Sequence, residues 1–497
     1  MAWTDTIKYS LYNLYRRNHQ YDFGVIGMEG HKQTRTEALI DAVRAKIYNG
    51  TLGRGGRLPS VRRFAETMRV SPSTVVEAYA RLEASGVIRA RRGSGFYVSE
   101  AGVPAASFRE TGPPRARDVD PFWVSRQSLD ADPSALKPGC GWLPADWMPN
   151  AAIRKGLRTL SRAEDALLLD YGRTRGSPTL RRLLLGRFAD EGLVIAPEQI
   201  MLTGSGTQAI DLVCRLFLAP GDTVLVDDPC YFNFQALLRA HRAHICPIPF
   251  TPAGPDVKAF EQALTDEKPR LYITNSALHN PTGATLSPQI AHRVLSAAAA
   301  HGVTIVEDDI FADFEPSASP RLAILDGLER VIRIGSFSKT LSASLRCGYV
   351  AARADWIEGL VDLQLASNFG GPSAVAAALV ESVLAGGGYR KHMEEVRRRL
   401  ERARDEAAER LARLEIVPWV PPRGGFYLWC RLPEGCDATA IARRCMDENI
   451  VLAPGDMFSP SQSAASFMRF NVAHLSDRRI FSTLERAMKH GGASAPD

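Results

Sequence analysis

Gly335-Ser336-Phe337-Ser338-Lys339-Thr340 is followed by Arg346, seven residues after the lysine, and this run narrows the possible chemistry of the chain more than any other. A lysine among small hydroxyl residues, with an arginine close behind, is the arrangement needed to hold a phosphorylated aldehyde through a Schiff base. The cofactor that this pattern predicts is pyridoxal 5'-phosphate. Because short strings of this kind also occur in ordinary solvated loops, the interpretation depends on the rest of the chain.

The C-terminal part contains further motifs at the ends of predicted strands. Short β-rich runs alternate with helical stretches, which predicts an α/β fold with a mostly parallel sheet. These runs are residues 223–226, 270–274, 304–307 and 331–334. Ligands bind such sheets at the carboxyl ends of the strands. We therefore expect the motifs that follow the runs to lie close together.

Three motifs are of this kind. Thr203-Gly204-Ser205-Gly206-Thr207-Gln208 precedes an apolar helix, where backbone N–H groups are able to bind a phosphate. His279-Asn280-Pro281 and Glu307-Asp308-Asp309 each follow a strand. Taken singly, they are also explained as a small-residue turn, an Asn-Pro turn and helix-capping carboxylates.

Composition is that of a globular protein of more than one domain. The chain has 497 residues, of which 45% are hydrophobic and 23% charged. No apolar run of about 18 residues predicts a membrane span, and charged residues interrupt the N-terminal apolar ones. The eight cysteines form no C-x-x-C pair, so metal ligation is not predicted and reduced thiols in a cytoplasm are the simplest interpretation.

Positive charge is concentrated near the N-terminus. Residues 32–98 hold thirteen Lys or Arg and five Asp or Glu, a balance of +8, whereas the whole chain carries +6. The other 430 residues together are therefore close to neutral, at about −2. This asymmetry predicts a polyanion as the partner of the front segment.

The front segment has the pattern of a winged helix-turn-helix. Helical spacing runs from Thr36 to Tyr48, and two short helices, residues 61–68 and 73–85, follow the capping residues Ser60 and Ser71. Residues 86–98 then read as two strands around a basic tip. A small helical bundle with a solvated charged face is the alternative.

This segment resembles the DNA-binding domain of the GntR family of bacterial repressors. The resemblance is carried by R-L-P-S-V-R at 57–62, V-S-P-S-T-V-V-E-A-Y-A-R-L-E-A-S-G-V-I at 70–88 and R-R-G-S-G-F-Y-V at 91–98. It implies a helix in the major groove of double-stranded DNA and phosphate contacts from the wing. The implied contacts are Arg62, Ser71, Ser73, Thr74, Arg91, Arg92 and Gly93. Arginines common in that family are replaced by Pro72 and Val76, so the hydroxyl residues would supply more of the base readout.

The C-terminal part resembles the fold-type I aminotransferases, through the ordered set of motifs from residue 140 to 490. The resemblance implies that Lys339 carries the Schiff base, that Asp308 pairs with the pyridine nitrogen and that Asn280 bonds the phenolic oxygen. It implies phosphate contacts from Ser205, Gly206, Thr207, Ser336 and Arg346, and ring stacking by Tyr231.

Three further positions follow from the same resemblance. Tyr171 would reach the phosphate of a neighbouring subunit, which implies a homodimer, and Arg469 would bind the carboxylate of an amino acid. The family's tyrosine three residues after the aspartate is Phe311 in this chain. A phenyl ring donates no hydrogen bond to the phenolic oxygen, so full transamination is expected to be slow or absent.

Both halves in this order resemble the MocR subfamily of GntR regulators. The resemblance implies a cytoplasmic transcription regulator that senses an amino acid, an amine or the cofactor itself. An active aminotransferase with a DNA-binding appendage is the alternative, and a scaffold with neither activity is a third. The predicted organisation is an N-terminal extension (1–31), the winged domain (32–98), a linker (99–120) and the aminotransferase-like domain (121–490), whose small subdomain starts near residue 385.

Overall fold

A computed structural model of the protein describes residues 34–48, 51–53, 55–91, 94–99, 123–369 and 371–489. The chain divides into two compact units between Ala116 and Arg117. The predicted N-terminal extension and nearly all of the predicted linker lie outside the described residues. Within the described ranges, no helix has the length and apolar character needed to cross a membrane.

The N-terminal unit consists of three helices and a two-stranded wing. The elements are α1 (Arg35–Tyr48), α2 (Val61–Met68), α3 (Pro72–Ala84), β1 (Ile88–Arg91) and β2 (Gly95–Val98). The two strands pair antiparallel. The α2–α3 pair and the wing confirm the winged helix-turn-helix that the sequence predicts.

Local sequence explains where the second and third helices begin. The Ser60 hydroxyl accepts a hydrogen bond from the Arg63 amide, and the Ser71 hydroxyl accepts one from the Thr74 amide. Each serine thereby pairs an amide that the helix leaves without a partner. Pro72 occupies the first turn, where a missing N–H costs nothing, so α3 starts and ends one residue earlier than predicted.

One small core holds the N-terminal unit together. Its buried side chains include Leu39, Val43, Phe64, Val75, Tyr79, Leu82, Ile88 and Val98. The Tyr79 ring stacks on Phe64 with centroids 5.8 Å apart, and its hydroxyl donates to the Pro59 carbonyl at 3.0 Å. These contacts fix α3 against α2 and the turn before it.

The C-terminal unit is built on an eight-stranded sheet. In chain order its strands are β3 (Ile200–Thr203), β4 (Thr223–Asp228), β5 (His244–Thr251), β6 (Gly254–Pro255), β7 (Leu271–Thr274), β8 (Thr304–Asp308), β9 (Val331–Ser336) and β10 (Gly348–Ala351). Their spatial order is β3-β10-β9-β8-β7-β4-β5-β6. The central pairs from β9 to β5 are parallel, whereas β10 pairs antiparallel with both β3 and β9. This sheet confirms the predicted α/β class.

Helices connect and cover the strands. They are α4 (Trp123–Asp130), α5 (Asn150–Leu160), α6 (Asp165–Leu169), α7 (Pro178–Asp190), α8 (Gly206–Phe217), α9 (Phe232–Ala240), α10 (Val257–Glu267), α11 (Pro288–His301), α12 (Leu322–Asp326), α13 (Ala354–Asn368), α14 (Ala374–Ala385) and α15 (Gly388–Ala412). The central strands are buried along most of their length, as expected of a parallel sheet covered on both faces.

A second, antiparallel sheet lies in the last part of the chain. It has the spatial order β11-β12-β14-β13, formed by β11 (Val417–Pro418), β12 (Tyr427–Arg431), β13 (Ala453–Pro454) and β14 (Phe467–Asn471), with helices α16 (Ala438–Asp447) and α17 (Arg478–Lys489). Of the proposed site residues, Arg469 is placed on β14.

Candidate functional site

The motifs singled out in the sequence meet at one edge of the large sheet. Six of its strands, β3 included, point in the same direction and end at this edge, so the residues that follow them are brought side by side. The residues placed there are Ser205 and Gly206 after β3, Tyr231 after β4, Asn280 after β7, Asp308 at the end of β8, and Ser336 and Lys339 at the end of β9. Arg346 precedes β10, which runs the opposite way and therefore starts at the same edge.

Lys339 is a partly buried residue whose amine is hydrogen-bonded. Its Nζ donates a hydrogen bond to the Gly141 carbonyl at 2.6 Å, across 198 residues of chain. Burial, reinforced by the positive charge of Arg469, lowers the pKa of Lys339 to about 8. A substantial neutral fraction near pH 8 is what a lysine needs in order to attack an aldehyde.

Asp308 is a buried carboxyl group with one oxygen unused. Its Oδ1 has no hydrogen-bond partner among the described residues, although the side chain of Asn275 holds the backbone carbonyl of Asp308 at 2.7 Å. Burial raises the pKa of Asp308 to about 7. A buried acceptor without a donor indicates a missing partner, and a protonated pyridine nitrogen has the required donor.

The predicted phosphate-binding turn is tightly constructed. Ser205 caps α8, its hydroxyl accepting from the Gln208 amide at 3.0 Å. Gly206 is adjacent to Ser336, because a Cβ atom on Gly206 would lie 3.7 Å from Cβ of Ser336. Gly348 on β10 lies even closer to the turn: a Cβ atom there would be 2.9 Å from the Ser205 carbonyl carbon. Only glycine allows that close approach of β10 to the turn. The turn thus places a helix N-terminus beside Ser336, with Thr207 exposed.

Arg469 is held rigidly in the site. Its Nη1 donates to Asn280 Oδ1 and its Nη2 to the Gly139 carbonyl, both at 2.8 Å. The guanidinium carbon lies 4.1 Å from the ring centroid of Tyr427 and 4.6 Å from that of Phe458, a cation–π arrangement on two rings. Its Nε has no partner among the described residues. A fixed, buried guanidinium of this kind is suited to an anionic group such as a carboxylate.

Aromatic side chains line the cavity around Lys339, Asn280 and Arg469. Burial raises the pKa of Tyr231 to about 12, so its hydroxyl remains protonated. Phe311 lines the same cavity, and its ring centroid lies 5.6 Å from that of Tyr427 in an edge-on arrangement. Phe311 therefore presents an apolar ring where a tyrosine would have a hydroxyl group.

The three carboxyl groups of Glu307-Asp308-Asp309 have different surroundings. Glu307 accepts hydrogen bonds from the first amides of α12, at Leu322 and Ala323. Asp309 forms buried ion pairs with Arg321 and Arg333, both at 2.7 Å. These contacts of Glu307 and Asp309 fix the backbone on both sides of Asp308 and so position its carboxyl group. The sequence pattern at the end of the strand does not reveal them.

Several residues of the cavity were not anticipated from sequence. They are Ser128, Gly139, Cys140, Gly141, Trp142, Phe232, Ile310 and Tyr427. Tyr427 ends the run Gly424-Gly425-Phe426-Tyr427. This glycine turn before a strand is the one sequence feature that points to Tyr427. The Ser128–Trp142 group carried no motif.

Tyr171 does not lie in this cavity. It is 81% exposed, and its ring centroid is 5.1 Å from that of Phe369, which is 67% exposed. Leu169, two residues before Tyr171, is 79% exposed. Tyr171 and Phe369 therefore form a pair of exposed aromatic rings on the surface.

In the N-terminal unit, the exposed side chains include Arg62 on α2 and Ser73 and Val76 on α3. The Ser71 hydroxyl lies 2.8 Å from that of Ser73 and 2.7 Å from that of Thr74, so the three predicted base-reading hydroxyls form one cluster at the start of α3.

The structure describes one of the three predicted DNA contacts in the wing. Arg91 lies over the Tyr97 ring, 4.7 Å from its centroid. Arg92 and Gly93 lie outside the described residues.

Two protein families match this chain. Residues 144–486 match the family of class I and II aminotransferases, and residues 35–98 match the gntR family of bacterial regulatory proteins. The sequence is 29% identical over 451 residues to the uncharacterized HTH-type transcriptional regulator YdcR of Escherichia coli, covering 88% of this chain and 94% of YdcR. It is 29% identical over 355 residues to the 2-aminoadipate transaminase of Thermus thermophilus, covering 70% of this chain and 87% of that enzyme.

Solved structures are similar to the C-terminal part. The α-aminoadipate aminotransferase LysN of Thermus thermophilus, complexed with N-(5'-phosphopyridoxyl)-L-leucine, matches with a TM-score of 0.67 and 27% identity, covering 74% of this chain and 95% of LysN. The kynurenine aminotransferase of Pyrococcus horikoshii matches with a TM-score of 0.69 at 23% identity, covering 76% and 96%. The second likeness concerns the fold alone.

Proposed function

Because the chain belongs to the class I and II aminotransferase family and carries a gntR-type domain in front, we propose that it is a transcription regulator of the MocR type, working in the cytoplasm. The observation that carries the proposal is the joining, in one chain, of a basic winged helix-turn-helix and a buried lysine site. YdcR, which matches across both parts, is named a transcriptional regulator.

The cofactor of the C-terminal unit is pyridoxal 5'-phosphate. Lys339 would hold it covalently, Asp308 would supply the acceptor for its ring nitrogen, and Asn280 would donate to its phenolic oxygen. The phosphate would be held by Ser205, Gly206, Thr207, Ser336 and Arg346, with Tyr231 against the ring. When bound, this cofactor supplies an electron sink for charge that develops on an amino acid.

The chain's own groups make the site suited to an amino acid ligand. Arg469 offers a fixed guanidinium for the carboxylate. Lys339, with a pKa of about 8, is able to hold or release a proton at neutral pH. Phe311 withholds a hydrogen bond that a tyrosine would give. Ligand binding without rapid turnover is the expected behaviour, and it gives the occupied state time to influence DNA binding.

The protein is proposed to act as a homodimer. Leu169, Tyr171 and Phe369 are apolar side chains exposed over two thirds or more of their surface, and a second copy would remove them from water. A dimer also presents two winged domains to the two halves of an operator.

A working aminotransferase is the second candidate. It is favoured by the presence of Lys339, Asp308, Asn280 and Arg469 in one site and by the likeness to the 2-aminoadipate transaminase of Thermus thermophilus. Phe311 and the basic N-terminal unit favour the regulator.

One paired experiment separates the two. The cofactor-loaded protein is tested for a mobility shift on the intergenic DNA beside its own gene, and for keto acid formation with a panel of amino acids. A regulator binds that DNA and turns over far below the rate of about 10 per second that is typical of enzymes. Typical turnover without sequence-specific DNA binding would favour the aminotransferase.

A further inference from the structure

Helix α4, residues 123–130, carries one buried side chain among the five whose exposure is described. Ser128 is 2% exposed, whereas Leu129 next to it is 72% exposed. Among these five residues, Ser128 is therefore the one whose side chain is enclosed by the rest of the unit.

Ser128 faces the cavity that contains Lys339 and Arg469. Its hydroxyl is buried and has no hydrogen-bond partner among the described residues. A hydroxyl group placed so in a protein interior is unfavourable by itself, so it indicates a ligand that pairs with it. Under the proposed function, the ligand amine would face the cofactor and its carboxylate would face Arg469. Ser128 is then left for a further polar group.

The charge of the cavity narrows the class of ligand. Apart from Lys339 and Arg469, the lining residues that the structure describes are neutral. A second carboxylate on the ligand therefore finds no cation there, while a neutral donor or acceptor finds the Ser128 hydroxyl, which is able to act either way.

Position along the chain gives this contact a regulatory meaning. Helix α4 is the first described element after the winged domain, whose last described residue is Ser99. Helix α4 is therefore continuous in sequence with the segment that joins the two units.

We propose, on the basis of the proposed function, that Ser128 binds a neutral polar group in the side chain of an amino acid effector, and that α4 thereby reports occupancy of the site to the segment that leads to the winged domain. Ser128 is in this account a ligand-binding residue, and its loss leaves the cofactor site intact. Removal of its hydroxyl weakens one hydrogen bond, which corresponds to a loss of about fivefold to tenfold in affinity.

Ligand pairs that differ in one polar group test the binding claim. Cofactor-loaded full-length protein is titrated with threonine and valine, and with glutamine and methionine, following the visible absorbance of the cofactor. The polar member of at least one pair should bind about tenfold more tightly in wild type, and Ser128→Ala should abolish that preference. Leu129→Ala, on the same helix but exposed, is the matched control and should keep it. Equal binding of both members in wild type, a preference that persists in Ser128→Ala, or no response to any of the four amino acids would overturn the proposal.

Hydrogen exchange tests the reporting claim without reference to DNA. With saturating ligand, peptides covering residues 123–131 should become more protected in wild type and in Leu129→Ala, and remain unchanged in Ser128→Ala. Unchanged hydrogen exchange in wild type on addition of ligand would overturn the claim that α4 reports occupancy of the site. A protein that shows this protection but binds no operator would contradict the proposed function instead, so the two failures are distinguishable.

Discussion

Replacing Asp308 with asparagine should stabilise the cofactor-free protein while it abolishes tight cofactor binding. Burial raises the pKa of the Asp308 carboxyl from 3.8 to about 7. A tenfold change in an acid constant is worth about 1.4 kcal/mol, so the ionised carboxylate costs the folded state about 4 kcal/mol above pH 7. Asparagine is uncharged, but one end of its buried amide stays without a partner in the empty site, as Oδ1 of Asp308 does, which costs about 1–3 kcal/mol. The net gain for Asp308→Asn is therefore about 1–3 kcal/mol.

The pH dependence follows from the direction of the change. Between the unfolded and folded pKa values, at roughly pH 4 to 7, the folded wild type binds more protons than the unfolded chain, so its stability falls as the pH rises. The asparagine variant lacks this contribution. Its advantage should grow across that interval and stay constant above pH 7.

Thermal unfolding of protein stripped of cofactor with hydroxylamine measures the difference. About 2 °C per kcal/mol is expected for a unit of this size, which predicts a rise of several degrees at pH 8. Added pyridoxal 5'-phosphate should raise the transition of wild type but leave that of the variant nearly unchanged. A variant that melts below wild type at pH 8, or with the same pH profile, would refute the reasoning that the empty site is strained by an unpaired carboxylate.

Three other changes give independent checks. Lys339→Ala should lose the visible absorbance of the lysine-linked cofactor, and an unchanged spectrum would assign the linkage to another lysine. Arg62→Ala should weaken binding about equally on all DNA sequences and flatten the salt dependence by about one unit, as measured by anisotropy titration at several salt concentrations; a change in site preference would contradict a phosphate contact. Phe311→Tyr should lower the pH at which the cofactor absorbance titrates and raise turnover with amino acids, because the new hydroxyl stabilises the deprotonated form. An unaltered titration would show that the missing hydroxyl does not set the turnover.

Local patterns were sufficient to predict much of the fold. The caps at Ser60 and Ser71 act within three residues, so helix starts in the N-terminal unit follow from sequence to within one residue. The parallel strands were visible as short apolar runs, and the fact that such strands end at one edge was enough to bring Asp308 and Lys339 together.

Contacts between distant parts of the chain were not predictable in this way. Lys339 and Gly141 are 198 residues apart, and Arg469 and Gly139 are 330 apart. The segment that contains Ser128 and Gly141 has no periodicity or motif that would place it over the sheet edge. Its role depends on burial and on unpaired polar atoms, which only the folded chain reveals.

The central claim is that an amino acid bound beside Lys339 and Arg469 changes the binding of DNA by the N-terminal unit. Its most direct test is an anisotropy titration of the intergenic DNA with cofactor-loaded protein, with and without each amino acid, at fixed salt concentration. At least one amino acid should change the dissociation constant several-fold in wild type and have no effect in Lys339→Ala. Identical DNA affinity with every amino acid, accompanied by steady keto acid production, would contradict the account and identify the protein as an enzyme.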